Sequence, residues 1–161
     1  MTERREALVA RLRRYDSLVE IGVGRRPDVA AALAAAGCDV TATDVREFPV
    51  PAGVRFVPDD VVERSREADP GPLYAVDAVY GLNLPPELHR PALAVARAAG
   101  AAFLFTTLGF DEPAVPVERE TLPGETLFVA HDGGPRSGRS VGGSTDGRAA
   151  DERPPEERPI D

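Results

Sequence analysis

The residues able to do chemistry gather around two glycines. Gly22-Val23-Gly24 follows an apolar run over 17–21, and Glu20 stands two residues before the first glycine. A second apolar, β-branched run over 38–43 leads into Asp44, 20 residues beyond Gly24. Open parallel sheets bind ligands at the carboxyl ends of their strands, where the strand order reverses. A glycine there turns the chain with positive φ, and a second one lets a ligand approach the backbone closely. An acid ending the next strand accepts hydrogen bonds from ribose hydroxyls. Glu20, Gly22, Gly24 and Asp44 therefore read as a site for a nucleoside-bearing small molecule.

The residues after the loop discriminate between ligands. Where a dinucleotide fingerprint has its third glycine, this chain has Pro27. Proline removes an amide donor. Asp28 then puts negative charge in the first helical turn, where a pyrophosphate would sit. S-Adenosylmethionine carries no phosphate, and its ammonium suits an acid such as Glu20, so the loop fits that cofactor better. Arg25 and Arg26 argue the other way, because they supply anion contacts that the helix start has lost. A nucleotide such as NAD, held by a sensor or regulatory module, is the alternative. In the plainest reading Pro27 and Asp28 only start a helix and the arginines are solvated.

Other candidates lie further on. Asn83 follows the fourth apolar run and faces the same side of the sheet, which makes it the one candidate for a catalytic side chain; Pro85 and Pro86 after it also serve as a helix start. Tyr80 suits the core near its strand end. Thr106, Thr107 and Gly109 end the fifth run on the cleft side. His89 and His131 have no cysteine or carboxylate at ligand spacing, so no metal site is expected. No serine-centred elbow or Cys–His pair occurs. Cys38, the single cysteine, reads as a small buried residue with no internal disulfide to form.

These residues need elements to hold them. Helical periodicity covers 2–15, with Ala7, Leu8, Leu12 and Tyr15 on one face. A second helix over 27–36 opens on proline and closes before Gly37, and a third over 85–99 closes at Gly100. Strands are expected over 17–21, 38–43, 54–57, 75–80 and 101–107, with a short helix and loops in the acidic stretch 59–72. Residues 115–121 and 126–131 form a hairpin around Leu-Pro-Gly-Glu. The fold class is α/β: a three-layer, Rossmann-like, mostly parallel sheet with helices on both faces, ending in an antiparallel hairpin. Residues 1–131 make that domain, and 132–161, with almost nothing to bury, read as a disordered polar tail.

Composition narrows the setting. At 161 residues and 42% hydrophobic, the chain is one domain with a real core. No apolar run is long enough for a membrane span. The charged N-terminus is no secretory signal, which places the protein in the cytoplasm. All 19 basic residues are arginine, and 27 acids give a net charge of -8. An acidic, lysine-free surface keeps a protein soluble where salt screens its charges, which points to a salt-loving host; codon bias alone gives the same composition. The negative field disfavours non-specific nucleic-acid binding and leaves room for a local basic site.

The segments from Val19 to Ala30, Thr41 to Asp44 and Tyr80 to Leu88 resemble the archaeal UPF0146 family. The resemblance runs from Leu8 to His131 and leaves out the tail. It implies a Rossmann-like fold similar to S-adenosylmethionine-dependent methyltransferases, which also finish with an antiparallel strand insertion. It further implies that Asp59 takes the place of an acid that binds the adenine amino group in methyltransferases, although Asp59 or Asp60 serves equally to cap the following helix. Amino-group methyltransferases of this fold carry Asn/Asp-Pro-Pro-aromatic at the place of Asn83. Here Leu84 intervenes and Glu87 replaces the aromatic. The family often has a basic residue where this chain has Asn83. The segment between the second and fourth strands is shorter than in full methyltransferases, so a non-catalytic interaction scaffold is the third reading.

Overall fold

The computed structural model describes residues 2–131. The expected tail, 132–161, lies outside the described residues. Seven strands form one sheet in the order β3-β2-β1-β4-β5-β7-β6. β1 (Ser17–Ile21), β2 (Asp39–Asp44), β3 (Val54–Pro58), β4 (Ala78–Gly81) and β5 (Ala102–Phe105) run parallel. β7 (Glu125–Ala130) is inserted antiparallel between β5 and β6 (Val117–Leu122). The order reverses between β1 and β4, and the glycine loop leaves β1 at that point. The expected Rossmann-like architecture with a closing hairpin is the fold of this chain.

The central strands are buried on both faces, and side chains alternate between two cores. Leu18, Ala78, Tyr80 and Leu104 face α1 (Glu3–Leu12) and α2 (Asp28–Ala35), packing on Leu8, Leu12, Val29 and Leu33. Val19, Ile21, Val79, Phe103 and Phe105 face the other layer, formed by α3 (Val61–Arg64) and α4 (His89–Ala99). Each fully buried leucine of this kind contributes roughly 1.5–3 kcal/mol over its exposed state.

Local chemistry explains where elements begin. The Thr2 side chain accepts from the Arg5 amide at 3.2 Å and caps α1. The helix expected over 85–99 starts four residues later, at His89, after a 3-10 turn at Pro86–Leu88. Pro91 is the reason. An α-helix entered at residue 85 or 86 would drive its ring into the carbonyl of residue 87. Starting at His89 places Pro91 in the first turn, where no amide donor is needed. The strand expected over 75–80 begins only at Ala78, because Pro72–Tyr74 makes a 3-10 turn that buries Tyr74. Cys38 stops just short of β2 and is half-buried.

Candidate functional site

The glycine loop is fastened to β2 along its length. The Gly22 and Val23 amides both donate to the Thr43 carbonyl at 3.0 Å. The Gly24 amide donates to Asp44 Oδ2 at 2.9 Å, and Asp44 Oδ1 accepts from the Val45 amide at 2.8 Å. Gly22 and Gly24 adopt φ of +73° and +57°, and no atom lies within 4 Å of where a side chain would begin at either. The loop is thus a fixed ledge beside open space. Each Asp44 oxygen is used once and keeps capacity for a further donor.

That space is a cleft of about 640 Å3 at the carboxyl end of β1. Its floor and walls include Glu20, Gly22, Gly24, Arg25, Asn83 and Thr106. The structure therefore brings five of the seven expected cofactor-binding positions around one cavity. Asp44 stands behind the ledge and acts on it through the Gly24 amide. Asp59 is elsewhere: Oδ1 pairs with Arg64 at 2.7 Å and Oδ2 accepts from the Tyr74 hydroxyl at 2.7 Å. Of the two acids ending β3, Asp60 makes the cap, accepting from the Val62 amide at 2.9 Å. Thr107 and Gly109 border a neighbouring depression of about 500 Å3 under the β6–β7 hairpin.

Glu20 is 2% exposed, yet it reaches the cleft floor. Its register partner on β4 is Tyr80, whose hydroxyl donates to Oε1 at 2.8 Å. Burial, with the Asp44 charge added, pushes the carboxyl up to about 8, against the lowering effect of the Tyr80 hydrogen bond. At neutral pH Glu20 is a neutral acid set to ionise if a cation enters. The same burial and the facing carboxyl raise the Tyr80 phenol well above its ordinary value, which keeps it a hydrogen-bond donor.

Asn83 owes its position to a tight turn. Gly81 allows the Leu84 side chain to pack where a β-carbon would lie within 2.9 Å of it. The Asn83 amide donates to Thr106 Oγ1 and the Leu84 amide to the Thr106 carbonyl, both at 2.8 Å. Asn83 is left exposed at φ +50°, a left-handed conformation that asparagine tolerates better than most residues.

Four contributors escaped the sequence reading. His89 is fully buried; its Nδ1 accepts from the Ala114 amide at 3.0 Å, which places the ring proton on Nε2, donated to the Leu84 carbonyl at 2.9 Å. It staples the Asn83 turn to the segment before β6. Arg4 and Arg5 line the cleft from the first turn of α1, and Phe48 closes it from the loop after β2. No local pattern marks Arg4 and Arg5, which reach the cleft through the docking of α1, where Arg5 lies 3.4 Å from Asp28. Among the described residues no helix is long and apolar enough to cross a membrane.

Residues 2–132 match the uncharacterised protein family UPF0146. A UPF0146 protein of Halobacterium salinarum is 51% identical over 126 residues, covering 78% of this chain and 95% of the relative. One from Archaeoglobus fulgidus is 40% identical over 91 residues, covering 56% and 67%. Among solved structures, a TehB-like S-adenosylmethionine-dependent methyltransferase from Corynebacterium glutamicum is 20% identical, with 78% of this chain and 85% of that one covered and a TM-score of 0.49. A Burkholderia thailandensis 1,6-didemethyltoxoflavin-N1-methyltransferase, solved with bound 1,6-didemethyltoxoflavin and S-adenosylhomocysteine, is 21% identical, with 78% and 58% covered and a TM-score of 0.48. The chain belongs to the UPF0146 family.

Proposed function

We propose that this UPF0146 protein binds S-adenosylmethionine on the ledge between β1 and β2 and presents it to an acceptor as a methyltransferase. The observation that carries the reading is the ledge itself: Gly22 and Gly24 held in left-handed conformations by Thr43 and Asp44, above Glu20, on a cleft of about 640 Å3. A volume in this range suits a ligand of nucleoside size. The chain's residues fit the cofactor's parts. Asp44 keeps lone pairs for ribose hydroxyls. Glu20 gains a counter-charge for the ammonium once it loses its proton. Bound, the cofactor supplies an electrophilic methyl group. Asn83, exposed at the end of β4, is the side chain placed to face an acceptor. Asp59, with both oxygens engaged, serves the adenine end only if Arg64 or Tyr74 lets go. Pro27 caps α2 without a donor amide, and Asp28 occupies its first turn, which favours a ligand without a pyrophosphate. The lysine-free acidic composition and the Halobacterium relative support a salt-adapted cytoplasmic setting.

Calorimetric titration in molar KCl with S-adenosylmethionine and S-adenosylhomocysteine tests this, with NAD as comparator and Asp44→Asn as variant. Micromolar binding that weakens at least tenfold in the variant is the expected result. Binding of NAD alone overturns it in favour of a nucleotide-binding module. No heat from any ligand, in a protein folded by circular dichroism, overturns it in favour of an interaction scaffold.

A further inference from the structure

The mouth of the cleft is basic on an acidic protein. Arg4, Arg5, Arg25 and Arg26 all line it, together with the carboxyl groups of Glu20, Asp28 and Glu125. Four guanidiniums face three carboxyl groups there, while the whole chain carries a net charge of -8. Two of the cations are answered: Arg5 lies 3.4 Å from Asp28, and Arg4 lies 3.9 Å from Glu125. Arg25 and Arg26 meet no carboxylate within 4.0 Å among the described residues. Arg25 is instead ordered over Phe48, its guanidinium carbon 6.0 Å from the ring centroid. Two neighbouring guanidiniums without carboxylate partners set a positive field over whatever enters.

The anion these arginines suit differs from the one a dinucleotide loop binds. The start of α2 offers Pro27, which has no N–H, and Asp28, which repels phosphate. Donors for an anion at this end of the cleft are left to side chains in the loop before the helix. The amino-acid carboxylate of S-adenosylmethionine is a single charge and satisfies one guanidinium. A second remains, and two together match a dianion whose oxygens accept forked N–H pairs.

We infer that the cleft mouth is a second subsite, in which Arg25 and Arg26 take the phosphate of a phosphorylated small molecule beside the cofactor on the glycine ledge. The inference rests on the cofactor reading for the occupant of the ledge, and on the arginines alone for the phosphate. It names the class of the second ligand: a phosphate monoester small enough to share the cleft.

The test uses the full chain saturated with S-adenosylhomocysteine, titrated with ribose 5-phosphate and, as control, ribose. The variants are Arg25→Gln/Arg26→Gln and the charge-keeping Arg25→Lys/Arg26→Lys. Both residues are exposed, so folding is retained. Ribose 5-phosphate should bind and ribose should not. The glutamine pair should weaken ribose 5-phosphate at least tenfold, and by more than it weakens S-adenosylhomocysteine, with the lysine pair in between. Equal behaviour of the two sugars, or indifference to the glutamine pair, overturns the inference even if S-adenosylhomocysteine binds. Arginine-dependent ribose 5-phosphate binding without S-adenosylhomocysteine binding upholds the phosphate subsite and overturns the cofactor reading. Silence from both overturns both.

Discussion

Two aspartates end neighbouring parallel strands on the same edge of the sheet, and the fold treats them in opposite ways. Asp44, at the end of β2, touches only backbone amides, those of Gly24 and Val45. Asp59, just after β3, is wedged between the Arg64 guanidinium and the Tyr74 hydroxyl, with its side chain 7% exposed. Backbone donors leave a carboxylate its remaining lone pairs. Side-chain donors, one of them buried, consume it. The Asp59 carboxylate in turn raises the Tyr74 phenol, after burial, and raises the Arg64 guanidinium, which keeps both as donors to it. An acid at a strand end is therefore a ligand residue or a structural one according to who donates to it.

The largest effect that separates the two is on stability. Asp59→Ala leaves the partly buried Arg64 and the buried Tyr74 hydroxyl unanswered. Breaking such a pair costs about 2–3 kcal/mol, below the fully buried case because the Arg64 side chain is 37% exposed. Denaturant unfolding should show that loss, while affinity for S-adenosylhomocysteine changes less than about twofold, roughly 0.4 kcal/mol. A larger fall in affinity with little loss of stability would return Asp59 to the ligand and undo the contrast.

Glu20 adds pH to the comparison, because it is buried behind the same ledge. Its folded value, about 8, lies above the ordinary carboxyl value of 4.5. Between these the unfolded chain releases the proton and the folded chain keeps it. Stability contributed by Glu20 is therefore whole below about pH 4.5 and falls as pH rises toward 8. The slope is roughly 1.4 kcal/mol per pH unit at most. Glu20→Gln holds a neutral group in place and should lose this slope, so the variant gains on the parent between pH 5 and pH 7. Parallel stability profiles of the two proteins would show that Glu20 is not held neutral.

Asp44→Asn should do the reverse of Asp59→Ala. The amide oxygen still accepts one backbone N–H, so unfolding free energy should change by about 1 kcal/mol or less. Binding of S-adenosylhomocysteine should weaken at least tenfold, about 1.4 kcal/mol. Equal losses in stability and binding would mean that Asp44 only holds the loop.

How much of this could be read from residues follows the range of each interaction. β1, the glycine loop, α2 and β2 are legible because their determinants are local: an apolar run, two glycines, a proline with an aspartate, and a second apolar run. The closing hairpin is legible for the same reason, with Gly124 at φ +74° in its turn. The start of α4 was legible as well, through Pro91, had its ring been weighed against the carbonyl of residue 87. What no local pattern carries is who meets whom at a distance. Tyr80 finds Glu20 across 60 residues, and Tyr74 finds Asp59 across 15. The amphipathic face of α1 is plain in the sequence, but its docking edge, which brings Arg4 and Arg5 to the cleft, depends on packing against α2 and β6.

The smallest effect concerns Asn83, where backbone and side chain make separate claims. Its φ of +50° strains any residue with a β-carbon, and asparagine less than most. Asn83→Ala should cost about 1 kcal/mol in unfolding free energy, because alanine keeps the strain without the local polar compensation. Asn83→Gly relieves the strain and loosens the unfolded chain, so its net change should stay within about 0.5 kcal/mol. The glycine variant thus preserves the turn that Gly81, Leu84 and Thr106 build while deleting the amide. Any loss of transfer or of second-ligand binding in Asn83→Gly belongs to the side chain. A loss seen in Asn83→Ala alone belongs to the shape of the loop, and Asn83 would then share with Asp59 a structural duty at the rim of the same sheet.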